Sequence, residues 1–244
     1  MVNPIKINNS FYDYYGERWY TADDDPVALL RLENKVKAPW ILSRINKFSK
    51  ILDVGCGAGF LTNQFALAGH DVTGVDQSED SLRVAHTYDR SGKVRYLAAN
   101  AYELPFDDET FDVVTSTDFL EHIDDPEKVI KEFSRVLKPG GTFFFHTFNR
   151  NPLSWLVAIK MIEWLIPKTP KNMHVLKLFI KPIELQKYCE NAHLKVIELT
   201  GIKPVISSIP IKRLFSGKVS DQIRFELTRN LSISYMGKAV KSLA

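Results

Sequence analysis

Cysteine is scarce in this chain. Cys56 and Cys189 are the two among 244 residues, too few for a disulfide framework and too far apart for a metal-binding pair, a usage that fits a reducing cytoplasm. Also missing is any apolar run near the ~20 residues that a bilayer-spanning helix needs, and Met1 to Ser10 carry no signal-peptide pattern. Neither sign of charge dominates: 32 Lys and Arg against 29 Asp and Glu leave a formal +3, with a pI near 8.7. That balance offers no concentrated basic face for nucleic acid, and no Asn/Asp-Pro-Pro-aromatic loop follows the fourth predicted strand to hold a flipped base. Internal repeats and low-complexity tracts are absent too. What remains is a chain with 45% hydrophobic residues, enough to bury one sizeable core, so a single α/β domain over 1–244 is expected.

The most informative stretch is Ile51-Leu52-Asp53-Val54-Gly55-Cys56-Gly57-Ala58-Gly59. It reads as a buried strand emptying into a glycine loop, followed by a helix over Phe60–Ala68. Glycines at alternate positions let the backbone turn tightly and let a ligand approach the peptide groups. A second strand pattern, Asp71–Asp76, ends in a carboxylate placed where a ribose-binding acid sits after a first βαβ crossover. The third glycine, Gly59, comes one residue earlier than a dinucleotide loop prefers, and an acid, Asp53, precedes the loop. A carboxylate there repels a diphosphate and attracts an ammonium or sulfonium, which points to S-adenosylmethionine.

Further along, aromatics crowd Phe11 to Tyr20 around Arg18; this segment is either an amphipathic helix packed on the domain or a lid over the ligand. Helical periodicity follows over Val27–Ile45, then, after the two βα units, a helix over Ser81–Tyr88 and a strand over Val94–Ala98. Asn100 sits where a third strand's carboxyl end can read an adenine edge. A fourth strand, Phe111–Ser116, runs into Thr117-Asp118-Phe119-Leu120-Glu121-His122, a cluster of carboxylates and imidazole where open α/β sheets place their chemistry. Asp124-Asp125-Pro126 reads as the start of a helix over Glu127–Leu137 that stops at Lys138-Pro139-Gly140-Gly141. A fifth strand over Thr142–Phe148 follows. Leu153–Ile166 is almost wholly apolar, with Trp155 and Trp164 near its ends and lysines beyond it. It is too short to span a bilayer and too apolar to face water, so it is core, a dimer contact or a membrane-interface helix. A helix over Pro182–Asn191, a strand over Leu194–Thr200, a connection over Lys203–Lys218 and a last strand over Leu231–Tyr235 complete the chain.

The loop Leu52–Gly59, Asp76 and Asn100 resemble the class I S-adenosylmethionine-dependent methyltransferases across roughly the first two-thirds of the chain. Three further stretches resemble the ubiquinone-biosynthesis O-methyltransferase family: Phe11…Arg18-Trp19-Tyr20, Phe119-Leu120-Glu121-His122, and Thr147-Phe148-Asn149-Arg150-Asn151 running on through His174 to Leu185. The resemblance implies a Rossmann-like fold with a seven-stranded, mostly parallel sheet, helices on both faces and a helical insertion after the fifth strand. Its parts would be a lid over 1–48, a cofactor-binding core over 49–149, an insertion over 150–180 and a C-terminal helix and strands over 181–244. It also implies methyl transfer to a phenolic oxygen of a polyprenylated catechol-type ring. Lys37, Asp53, Gly55, Gly57, Gly59, Asp76, Asn100 and Thr117 are the expected cofactor-binding residues. Asp118, Glu121 and His122 are the expected catalytic group, on which the family's cluster for a divalent cation such as Mg2+ also falls. Asp118 stands where the family has Glu, and Tyr20 where it has a second Trp.

A phenol of pKa ~10 is a poor nucleophile at neutral pH, so a bound cation or a base, His122 or secondarily His146, must help remove its proton. The implied location is cytoplasmic, peripheral at the inner membrane face through 153–181, with other quinone-biosynthesis enzymes as partners. A methyltransferase with a soluble substrate and an idle cofactor-binding scaffold are the alternative readings.

Overall fold

The computed structural model describes Ile7, residues 9–210 and residues 216–243. Part of the Lys203–Lys218 connection and most of Met1 to Ser10 therefore lie outside the described residues. Within them, eight strands form one sheet in the order β3-β2-β1-β4-β5-β8-β6-β7. β1 (Lys50–Val54), β2 (Asp71–Asp76), β3 (Arg95–Ala98), β4 (Phe111–Thr117) and β5 (Leu137–Phe148) run parallel. β6 (Leu194–Pro204), β7 (Phe225–Thr228) and β8 (Ser234–Lys241) add antiparallel pairings beyond β5. The strand order reverses between β1 and β4, and a crevice opens there beyond their carboxyl ends.

The central strands are buried on both faces, as parallel strands covered by helices must be. Alternation along β5 divides the core: Phe143 and Phe145 pack under the helices Pro126–Val136 and Pro182–Asn191. Phe144 faces the other way, with Trp40 and Ile41 of the helix Val27–Leu42. Local signals place the helix starts. Asp125 accepts from Lys128 N–H with Pro126 at the first helical position, and Ser78 caps the helix Glu79–Thr87 by accepting from Ser81 N–H.

Three differences from the sequence reading have clear causes. The sheet has one strand more than seven, because Phe225–Thr228 pairs antiparallel with β6 as the sheet's edge strand. The last strand is Ser234–Lys241 rather than Leu231–Tyr235. Its alternation is hidden because Tyr235, Met236 and Ala239 are all buried between two neighbours. β5 begins at Leu137, running straight through Pro139-Gly140-Gly141. A register shift between Phe111 and Val113 opposite accommodates the proline at a bulge, where its missing N–H is tolerated.

The insertion is a continuous helix over 152–165 whose middle, Trp155–Met161, is wound as a π-helix. Asn151 and Ser154 form its capping box. No helix among the described residues is long and apolar enough to cross a membrane.

Candidate active site

The glycine loop turns back under β2. Gly55 and Cys56 donate their N–H groups to Val75 O at 2.9 and 3.1 Å, and Gly57 N–H donates to Asp76 Oδ2 at 2.8 Å. Gly55 has φ +71°, and a Cβ there would lie 2.4 Å from the Phe119 ring. Only glycine meets both demands. Asp76 accepts a second N–H from Ser78 at 2.9 Å. Asp76 lines a cavity of about 690 Å³, as do Asp53, Gly55, Gly57, Asn100 and Thr117. A glycine loop, a strand-end carboxylate and a crevice at the point of strand reversal suit an adenosyl ligand.

Asp53 also lines this cavity, at the foot of the loop, and both of its oxygens are held by hydroxyls. Thr62 Oγ1 and Thr115 Oγ1 each donate to one of its oxygens at 2.6 Å. Burial pushes its pKa up to about 6 against the pull of those hydroxyls. The carboxylate ties the loop's helix to β4. Gly59 packs against Tyr96 and Ala85 rather than on the cavity, and Asn100 uses its side-chain oxygen on Tyr102 N–H at 3.0 Å.

The aromatic N-terminal segment covers the loop. It comprises a 3-10 turn, Ser10–Tyr14, and one helical turn, Arg18–Thr21. Trp19 packs over Gly57, Tyr20 donates to Ala58 O at 2.9 Å and stacks on Tyr88 at 3.7 Å between ring centroids. Tyr12 and Trp19 form part of the cavity wall.

Asp118, Glu121 and His122 do not converge. Asp118 has φ +55°, a left-handed turn that short polar residues tolerate. Its carboxylate bridges two elements: Oδ2 meets Lys37 Nζ of the helix Val27–Leu42 at 2.5 Å, and Oδ1 meets His146 Nδ1 of β5 at 2.7 Å. Glu121 lies on the 3-10 turn Leu120–His122 and points away: Thr147 donates to its Oε2 at 2.8 Å, and Oε1 is buried without a hydrogen-bond partner among the described residues. Successive residues of such a turn diverge by about a third of a revolution, and among the described residues the Glu121 and His122 ligand atoms do not gather with those of Asp118. Burial and the Asp118 charge push the Glu121 carboxyl well above the usual carboxylate range, while Lys37 and His146 overcome burial to hold Asp118 well below it. His122 Nδ1 faces Asn9 Oδ1 at 3.3 Å. Donation there leaves the lone pair on Nε2. Burial, then neighbouring His174, push its pKa down to about 3, so the ring is neutral at physiological pH.

Lys37 is fully buried and engages Glu33 at 2.8 Å as well as Asp118; it does not line the cofactor cavity. Among the described residues, the group able to gather metal-ligand atoms is Glu33, Asp118 and His146, with the Lys37 ammonium already bonded to two of its members. The expected triad therefore does not fit a divalent ion. Glu33 escaped the sequence reading, although its spacing of four residues from Lys37 on one helix is a signal for such a pair.

A second cavity, about 180 Å³ and almost wholly apolar, lies behind the insertion, against Val157, Ala158, Met161, Ile162, Leu165 and Ile166. Tyr12, Asp118 and His122 line both cavities. The same helix turns Leu153, Trp155, Leu156 and Trp164 outward, Trp164 to 69% exposure. It is thus neither plain core nor plain surface. Of the lysines after it, Lys168 is paired with Asp24 at 2.5 Å.

A methyltransferase-domain family model matches residues 52–145. Ubiquinone biosynthesis O-methyltransferases from Pseudomonas putida and Pseudomonas syringae pv. tomato are 38% and 37% identical, over 209 and 206 residues, each covering 83% of this chain and 88% of the relative. Among solved structures, a SAM-dependent methyltransferase from Methanosarcina mazei has a TM-score of 0.60 at 23% identity, covering 84% of this chain and 98% of that one. Magnesium protoporphyrin IX methyltransferase from Synechocystis with bound SAH has a TM-score of 0.61 at 17% identity, covering 88% of this chain and 85% of that one. At these identities the two structures speak for the fold.

Proposed function

The chain belongs to the ubiquinone biosynthesis O-methyltransferase family and is an S-adenosylmethionine-dependent O-methyltransferase, and on that premise we propose that its acceptor is a phenolic hydroxyl of a polyprenylated catechol-type ring. The observation that carries this reading is the meeting of two unlike cavities at Tyr12, Asp118 and His122, one beside the glycine loop and one apolar. A ring seated at the junction presents its hydroxyl to the first cavity and its tail to the second.

The cofactor supplies a sulfonium methyl group for in-line displacement. When it is bound, Asp76 and Asn100 would hold its nucleoside part, with Gly55, Gly57 and Thr117 shaping the cavity around it. The aromatic lid of Tyr12 and Trp19 excludes water. His122, neutral with its lone pair on Nε2, would accept the proton that the phenolic oxygen loses. No step passes through a metal ion.

The outward apolar face of the insertion, with Lys171, Lys177 and Lys181 beyond it, docks at a membrane surface, and its inward face passes the prenyl tail to the junction. At 1.5 Å per residue such a helix reaches ~21 Å, short of a ~30 Å hydrocarbon core, so it lies on the bilayer. Titration with the cofactor, followed by methyl transfer to a short-tailed prenyl catechol, tests the reading. Cofactor binding with transfer to tailless, soluble phenols alone would assign a soluble substrate instead. Binding without any transfer would mark an idle scaffold.

A further inference from the structure

Four ionisable side chains from two layers of the fold meet above the carboxyl ends of β4 and β5. Glu33 and Lys37 come from one face of the helix Val27–Leu42, Asp118 from the turn after β4, and His146 from β5. The Lys37 ammonium lies 2.8 Å from Glu33 Oε2 and 2.5 Å from Asp118 Oδ2, while the other Asp118 oxygen meets His146 Nδ1 at 2.7 Å. Two carboxylates and an imidazole whose ligand atoms lie within 4.8 Å of one another have the hard-donor character that Mg2+ or Mn2+ favours. Here a side-chain cation is bonded to both carboxylates. Ionised groups this deeply buried survive only when paired, so removing the ammonium leaves carboxylates that must take up a proton or another cation, and Mn2+ in excess competes for that place.

The cluster borders the chemistry. Glu33 and Asp118 line the apolar cavity, and Asp118 also lines the cofactor cavity. A phenol losing its proton beside two uncompensated carboxylates becomes a weaker acid, because like charges oppose its ionisation. The ammonium offsets that repulsion from behind Asp118 without touching either cavity. On the reading of the site given above, we infer that Lys37 is the resident cation of the active site, a positioning residue that acts through Asp118 in place of a divalent ion, so that methyl transfer runs without metal.

The test uses the full-length protein and Mn2+ as probe. Wild type, dialysed against Mn2+, should retain less than one equivalent per chain by elemental analysis, and its kcat on a prenyl catechol should be unchanged in excess chelator. Lys37→Ala should bind one equivalent of Mn2+ and lose about 100-fold in kcat, the scale of removing one preorganised electrostatic partner. Its cofactor affinity should stay within about twofold. Added Mn2+ should restore part of the rate, and Lys37→Arg should keep most of it. Stoichiometric Mn2+ in wild type, loss of turnover in chelator, or a Lys37→Ala protein with weakened cofactor binding and unchanged kcat would each overturn the inference. The two wild-type measurements decide it even if Lys37→Ala does not fold. If wild type transfers no methyl to any catechol, the acceptor reading fails while metal content still decides for or against Lys37.

Discussion

Lys37 Nζ lies 2.5 Å from Asp118 Oδ2 although 81 residues separate the two in sequence. That bond ties the helix over one face of the sheet to the turn whose Asp118 and His122 line both cavities. It also explains why the carboxylate points away from Glu121 and His122.

On the cofactor side, Asp76→Ala removes the carboxylate that accepts from Gly57 and Ser78 and faces the cavity. Charge-assisted bonds of this kind contribute ~1.5–3 kcal/mol, so cofactor Kd should rise about 10- to 100-fold by calorimetric titration while the melting temperature changes little. Unchanged affinity in the folded variant would remove Asp76 from the site.

Gly55→Ala should act differently. The added methyl meets the Phe119 ring at a positive-φ position, so loop and turn must shift apart. Weakened cofactor binding is expected, and Phe119→Ala in the same chain should recover part of it. No recovery would mean that backbone strain alone matters.

Acid stability reports on His122. Its pKa is about 3 in the folded chain and ~6.5 unfolded, so between these values the unfolded state binds the extra proton. Stability contributed by the neutral ring is therefore present above pH 6.5 and lost as pH falls through that window, by up to about 1.4 kcal/mol per pH unit. His122→Gln should flatten that part of the unfolding free energy against pH. An equally steep acid limb in the variant would assign the loss to other groups.

Replacing Trp155, Leu156 and Trp164 with Ser should lower sedimentation with anionic liposomes and raise KM for a long-tailed acceptor. A tailless catechol should be spared, because these side chains face outward. Retained liposome binding would place membrane contact elsewhere.

Much of the cofactor half was legible in the sequence because its signals are local. The glycine loop, Asp76 and the Asp125-Pro126 helix start depend on residues a few positions apart, and each stands where the spacing put it. The acceptor half depends on contacts across the fold. Nothing near Asp53 announces that Thr115, 62 positions on, occupies one of its oxygens. Proximity in sequence suggested that Asp118, Glu121 and His122 act together, whereas one left-handed residue and a 3-10 turn send them three ways. β5 hid its start because Pro139 and Gly140 are breakers in isolation and are accommodated only by a bulge against β4. The insertion's double character needed the cavity behind it, which no periodicity displays.

The claim that the apolar cavity holds the prenyl tail is tested most directly by closing it from within. Ala158 is 2% exposed and lines that cavity alone of the two, so Ala158→Phe fills it without touching the glycine loop. The measurement is kcat/KM for methyl transfer to a short-tailed prenyl catechol and to a tailless catechol, in wild type and variant, with cofactor saturating. Wild type should prefer the prenylated acceptor, and Ala158→Phe should lose at least about tenfold of that preference while its rate on the tailless ring holds. An equal preference in both proteins would contradict the account.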